Sequence, residues 1–133
     1  MRVFLDTTVL VAAFATRGLC ADVFRLAAIE HELLMGEPVL VELERVLEKK
    51  LRMPHADRSP VLQALRRFTV VPAASAPVEL GIGDPDDDWI IACALLARAD
   101  MFVTGDHALL GLGNVGGLPI LSPREFWTRR PHS

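Results

Sequence analysis

The chain has 133 residues, 51% hydrophobic and 23% charged, with a formal net charge of −3 and a mean hydropathy of +0.32. That length and composition suit one compact domain, 1–133, and exclude disorder and generic coating of nucleic acid. Cys20 and Cys93 form no C-x-x-C pair, and the longest apolar stretch, 89–97, is too short to span a bilayer. A zinc ribbon, a disulfide framework and a membrane span are therefore excluded, and the expected location is cytoplasmic.

In chain order, Val3-Phe4-Leu5 running into Asp6 reads as a buried parallel strand. Leu10 to Phe14 reads as a short helix, and a second helix runs from about Ala21 to His31. Leu33 to Met35 forms a second strand. Gly36-Glu37-Pro38 opens the next helix, with Pro tolerated in its first turn, and Val39, Leu40, Leu43, Val46 and Leu47 make its buried stripe. Ser59-Pro60 starts another helix, Thr69 to Val71 is a strand, and 72–83 is loop by its Pro, Ser and Gly content. Asp84-Pro85 begins a helix through Arg98 that is apolar all round over 89–97, which predicts burial between other elements. A strand at 101–104, a short helix from Asp106 through Leu112, a turn over 111–117 and a last strand at Pro119 to Leu121 follow. Ser122-Pro123-Arg124-Glu125 has the form of a capping box. Strands alternating with helices predict a central parallel sheet covered by helices on both faces.

Two of these strands run into aspartate: the first into Asp6, the fourth through Gly105 into Asp106. Ligands of open α/β sheets sit beyond such carboxyl ends. Either residue could equally cap the helix that follows it. The run Asp84-Pro85-Asp86-Asp87-Asp88 is harder to explain as capping, which accounts for about two acids. The rest repel one another unless a cation offsets the charge. Glu42 and Glu44 lie at opposite margins of the stripe through Val39, Leu43 and Leu47, and helical geometry alone favours neither. These residues read as a carboxylate-built site for a metal ion.

The segments VFLDTTVLVAAF, PVLVELERVL, DPDDDWIIACALLARADMFVTGDHALL and LPILSPREFW together resemble the PIN-domain family, in particular its bacterial toxin branch of VapC-like ribonucleases. The resemblance covers essentially the whole chain, with its motifs in the right order. It implies a three-layer α/β/α, Rossmann-like fold with about five parallel strands, and a metal-dependent endoribonuclease acting on single-stranded RNA. It also implies a toxin paired with a small antitoxin protein, and is compatible with a homodimer. Residue by residue, it places the four family acids on Asp6, Glu42, Asp87 and Asp106, as catalytic groups and ligands of Mg²⁺ or Mn²⁺. Asp84 and Asp88 are additional candidates. Many relatives carry D-T-N at the first motif, where this chain has Asp6-Thr7-Thr8; Thr8 keeps a side-chain oxygen but not the amide.

Hard dications prefer oxygen ligands and activate water and phosphate, which suits phosphodiester hydrolysis. Thr8 and Thr104 are expected to orient a ligand or the scissile phosphate. Between positions 45 and 67, Arg45, Lys49, Lys50, Arg52, Arg58, Arg66 and Arg67 face only Glu48 and Asp57. Apart from Arg58, these bases are the candidates for holding RNA, with an ordinary solvated helical face as the plain alternative. His107 reads as a surface residue, and His31, His55 and His132 lack metal-ligand spacing. Two other functions fit parts of the pattern. A haloacid-dehalogenase-like phosphatase would use Asp6 and Gly105-Asp106, but Leu110 stands where its later motif wants another Asp. A catalytically weak binding module with the same fold would act through its antitoxin-type partner.

Overall fold

The computed structural model describes residues 1–129; His132 lies outside them. The strands are β1 (Arg2–Leu5), β2 (Glu32–Gly36), β3 (Thr69–Val71), β4 (Met101–Val103), β5 (Asn114–Val115) and β6 (Leu118–Leu121). The helices are α1 (Thr7–Ala15), α2 (Leu19–Glu30), α3 (Glu37–Lys49), α4 (His55–Leu65), α5 (Pro85–Leu96), α6 (His107–Leu110) and α7 (Pro123–Thr128). They assemble one sheet in the order β3-β2-β1-β4-β6-β5. All pairings are parallel except that of β5 with β6. Val3, Phe4 and Leu5 are all 0% exposed, although successive strand side chains point to opposite faces. Both faces of the sheet are therefore covered, as the three-layer expectation requires. Phe4 and Phe102 stack across β1 and β4 with ring centroids 5.4 Å apart.

The sheet grows in one direction from β1 to β2 and β3, and in the other from β1 to β4 and β6. Its topological switch point thus lies between β1 and β4, where a crevice opens beyond the carboxyl ends of the strands. Register fixes the contents of that crevice. Leu5 stands opposite Val103, and the Asp6 N–H donates to the Val103 carbonyl at 3.0 Å. The two acids that follow these strands are therefore delivered to the same place.

Several boundaries differ from the sequence expectation. α1 starts at Thr7, directly after the strand, and α4 starts at His55, which leaves Pro60 inside the helix. α5 ends at Leu96, with Ala97 as its cap and Arg98 at φ 55°. The 111–117 turn contains β5, which forms a hairpin with β6 through Gly116 (φ 57°) and Gly117 (φ 87°). Two positive φ angles in a two-residue loop are what a hairpin of the favoured twist needs, and glycine supplies them. α5 is not enclosed on every side: Ile90, Ile91, Ala92, Cys93 and Ala94 are buried, but Trp89 and Leu96 are exposed. They lie seven residues apart and so share a face. A helix without polar residues gives no signal for which side is open. The capping box at Ser122 and Glu125 forms as predicted.

Gly36 ends β2 where α5 crosses close to the sheet. A Cβ there would meet Cys93 Cβ at 3.2 Å and Phe4 Cζ at 3.3 Å. Both neighbours are fully buried and cannot yield. Gly36→Ala is therefore expected to destabilise the protein by about 1–3 kcal/mol through overpacking, measured as a lower urea midpoint at unchanged slope. A midpoint equal to or above the original would show that the interior has slack at this contact.

Candidate functional site

Asp6 leaves β1 at the switch point and is 3% exposed. Its side chain makes no cap bond to α1, so the capping alternative does not account for it. Oδ2 instead accepts from the Thr104 hydroxyl at 2.7 Å and from the Thr8 hydroxyl at 3.3 Å. The same hydroxyls fix the neighbouring loop, because Gly105 N–H donates to Thr8 Oγ1 and Asp106 N–H donates to Thr104 Oγ1. Thr104 is 0% exposed, and its hydroxyl donates to Asp6 and accepts from Asp106 N–H, so the partners it has in this structure are the two acids' own segments. Thr8 is exposed, but its oxygen serves this network too.

Asp106 is half-buried and does cap its helix, with Oδ1 accepting from Ala108 and Leu109 N–H. Asp84 caps α5 by accepting from Asp86 N–H at 2.9 Å. The other acids of that run diverge, as 100° per residue demands. Asp87 turns inward and is 7% exposed, whereas Asp86 faces solvent. Asp88 points to the 78–80 loop, where its Oδ1 accepts from Leu80 N–H at 3.3 Å. Asp88 therefore holds the loop rather than facing the crevice. On α3 the ambiguity resolves through packing. Glu42 is half-buried and feels the charges of Asp6, Asp86 and Asp84. Glu44 is exposed beside His55, Arg58 and Arg66 on the α4 side.

The electrostatics reflect this convergence. Burial pushes the Asp6 carboxyl up; the Thr104 hydroxyl, the Thr7 backbone and the Thr8 hydroxyl pull it back, and Asp106 raises it further. Burial, then the charge of Asp6, raises Glu42. Asp87 is pushed up to about 7, first by burial and then by the charges of Asp6, Asp84, Asp106 and Glu42. Among the described residues no lysine or arginine ion-pairs with any of these acids. Asp87 Oδ2 is buried with no hydrogen-bond partner among the described residues, while the Thr7 hydroxyl, also buried, faces the Glu42 carboxyl and pulls its pKa back. Such a donor set, all oxygen with one orphaned carboxylate atom, suits a hard dication. The acids nevertheless stand apart: among the described residues no three His, Cys, Asp or Glu side chains close into a ligating cluster.

The basic segment is partly spent within the fold. Arg66 makes a paired contact with Glu37 at 2.8 and 3.1 Å, Arg58 bridges to Glu48, and Lys49 lies 4.0 Å from Glu48. Arg45, Lys50, Arg52 and Arg67 have no ion-pair partner among the described residues. Sequence reasoning passed over Thr7, which it left ahead of a helix expected from Leu10, and a groove of about 360 Å³ between α3 and α5 beside Glu42 and Asp86. Only the exposed Trp89 in an otherwise apolar run could have signalled that groove.

A parallel sheet with paired acids at its switch point and further acids from α3 and α5 defines a class of protein. The family model for the PIN domain matches residues 2–108, and the chain belongs to that family. Membership removes the basis for the phosphatase alternative. Among solved structures, the chain is similar to VapBC2 from Rickettsia felis, bound to a DNA fragment from its promoter. The identity is 16%, the TM-score 0.66, and the match covers 92% of this chain and 98% of that one. It is also similar to VapC20 of Mycobacterium tuberculosis, a sarcin-ricin loop cleaving toxin, at 16% identity and TM-score 0.59, over 88% and 98% of the two chains. The fold is thus that of VapC proteins. No curated protein matches by sequence. Among the described residues no helix is long and apolar enough to cross a membrane.

The pH dependence follows from Asp87. Its folded pKa of about 7 lies above the ordinary 3.8, so between those values the native state binds more protons than the unfolded chain. Stability is then fully present at low pH and falls as pH rises through 7. In chelator, urea unfolding is expected to show lower stability at pH 8 than at pH 5.5, with the difference reduced in Asp87→Asn. An equal loss in that variant would assign the effect to other groups.

Proposed function

We propose that this protein is a metal-dependent endoribonuclease that hydrolyses phosphodiester bonds of single-stranded RNA, and that it is the toxin of a toxin–antitoxin pair. The single observation that carries the reading is the set of acids that follow β1 and β4 or project from α3 and α5, coupled at one crevice with no Lys or Arg ion-paired to them among the described residues. Family membership supports a nuclease. The cleavage of a ribosomal loop named for VapC20 supports RNA as substrate, and the VapBC2 assembly supports an antitoxin-type partner. Residues 1–133 form one nuclease domain in this reading, acting in the cytoplasm, alone or as a homodimer.

Asp6, Glu42, Asp87 and Asp106 would hold Mg²⁺ or Mn²⁺, directly or through water, with Asp84 at the margin. A hard dication bound there polarises the scissile phosphodiester and lowers the pKa of the attacking water. The protein's own groups do the positioning. Thr104 and Thr8 lock Asp6 by hydroxyl donation and set the loop that carries Asp106. One of these carboxylates would also take a proton from the attacking water, and the raised proton affinity of Asp87 supports that role for it. Arg45, Lys50, Arg52 and Arg67 would hold the RNA backbone, with an affinity that falls as salt rises.

Asp6→Asn or Asp106→Asn is expected to abolish Mg²⁺-dependent cleavage of a defined RNA, and chelator should do the same to the unaltered protein. Glu44→Gln should keep nearly full activity while Glu42→Gln loses it; the reverse result would move the site to the other margin of α3. Independently of turnover, Mn²⁺ should raise the melting temperature of the protein and raise it less in Asp6→Asn. Equal shifts in the two proteins would place the ion elsewhere.

A further inference from the structure

The groove between α3 and α5 has a composition that the acids do not explain. Its floor is Pro38, Ala73 and Ile90, and its walls are Val41, 56% exposed, and Trp89, 37% exposed. Arg45 stands at its rim. Neither the Trp89 nor the Arg45 side chain has a hydrogen bond, ion pair or ring partner among the described residues. One mouth of the groove is formed by Glu42 and Asp86, so it opens directly on the acid crevice. Helical spacing creates this continuity: Val41 and Arg45 flank Glu42 on α3, and Trp89 lies three residues beyond Asp86 on α5.

We infer that this groove is a nucleobase subsite in which Trp89 stacks on an unpaired base next to the scissile phosphate while Arg45 contacts the adjoining phosphate. The inference rests on the nuclease reading and deepens it, because it names the contact that selects single-stranded RNA. A strand whose phosphate lies at the acids must send the neighbouring nucleotide along one side of Glu42, and this groove is the apolar channel there. Its volume lies within the roughly 300–1,000 Å³ range of small-ligand pockets. Glu37, Glu42 and Asp86 also line the groove, and Glu37 is paired with Arg66; the remaining lining, apolar with one flat aromatic and one cation, complements a base and its phosphate. Bases paired within a duplex could not enter it.

Trp89→Ala is expected to raise KM for single-stranded RNA about tenfold at nearly unchanged kcat, the effect of losing one base–aromatic stack, and Trp89→Phe should restore most of it. Arg45→Ala should raise KM and flatten its salt dependence by about one phosphate contact. In Asp6→Asn protein, a short oligoribonucleotide should quench tryptophan emission, inorganic polyphosphate should not, and the quench should vanish with Trp89→Phe although Trp127 remains. Equal falls in kcat for both Trp89 variants with KM unmoved would reduce Trp89 to packing around Asp87 and overturn the subsite. Quenching by polyphosphate as strong as by RNA would overturn it as well. A changed oligomeric state for Trp89→Ala in sedimentation, at unmoved KM, would assign the groove to a second copy of the chain instead. Should the unaltered protein leave RNA uncut yet show the base-dependent quench, the nuclease reading falls and the subsite stands.

Discussion

The structure is organised around carboxylates drawn out of water beside one another. Asp6 and Asp87 are each almost wholly buried, Glu42 half so, and they raise one another's proton affinity. Burying an unpaired anion costs several kcal/mol, and the fold does not offset it with an internal base. Such an arrangement persists only where the surroundings over-determine it, and here they do. The register of β1 against β4 fixes where Asp6 and Asp106 emerge. Two threonine hydroxyls bind both the first acid and the backbone that carries the last. The close crossing at Gly36 sets the path from β2 into α3, and with it the direction of Glu42.

That division of labour explains why hydroxyl residues lie among the acids. A threonine hydroxyl can donate to a carboxylate and accept from a backbone N–H at once, and Thr104 does both. It stabilises negative charge without neutralising it, so the acid stays available to an external cation. An arginine in its place would satisfy Asp6 permanently. Thr8 supplies its share of the same network by accepting from Gly105 N–H.

Charge is distributed to match. The chain is acidic overall, yet residues 45–67, on and around α3 and α4, concentrate seven bases, of which Arg66 pairs with Glu37, and Arg58 and Lys49 with Glu48. An approaching polyanion would meet the basic rim first and the acids last. The groove lined by Trp89 and Arg45 also includes Glu42, one of the acids.

The sequence by itself determined the order of strands and helices, the acids that follow β1 and β4, and the family, because these are carried by local periodicity and by short motifs. Helical periodicity could not choose between Glu42 and Glu44, since both margins of an amphipathic stripe look alike until the helix docks; only the family motif pointed to Glu42. The same motif pointed to Asp87 with Asp88 as an additional candidate, and packing turned one toward the crevice and the other toward the 78–80 loop. Tertiary structure decided that the Thr104 hydroxyl ties Asp6 to the loop carrying Asp106, since only packing brings the three together. It also decided that α5 keeps one open side. A uniformly apolar helix carries no record of which face its neighbours leave uncovered, and that open face made the groove.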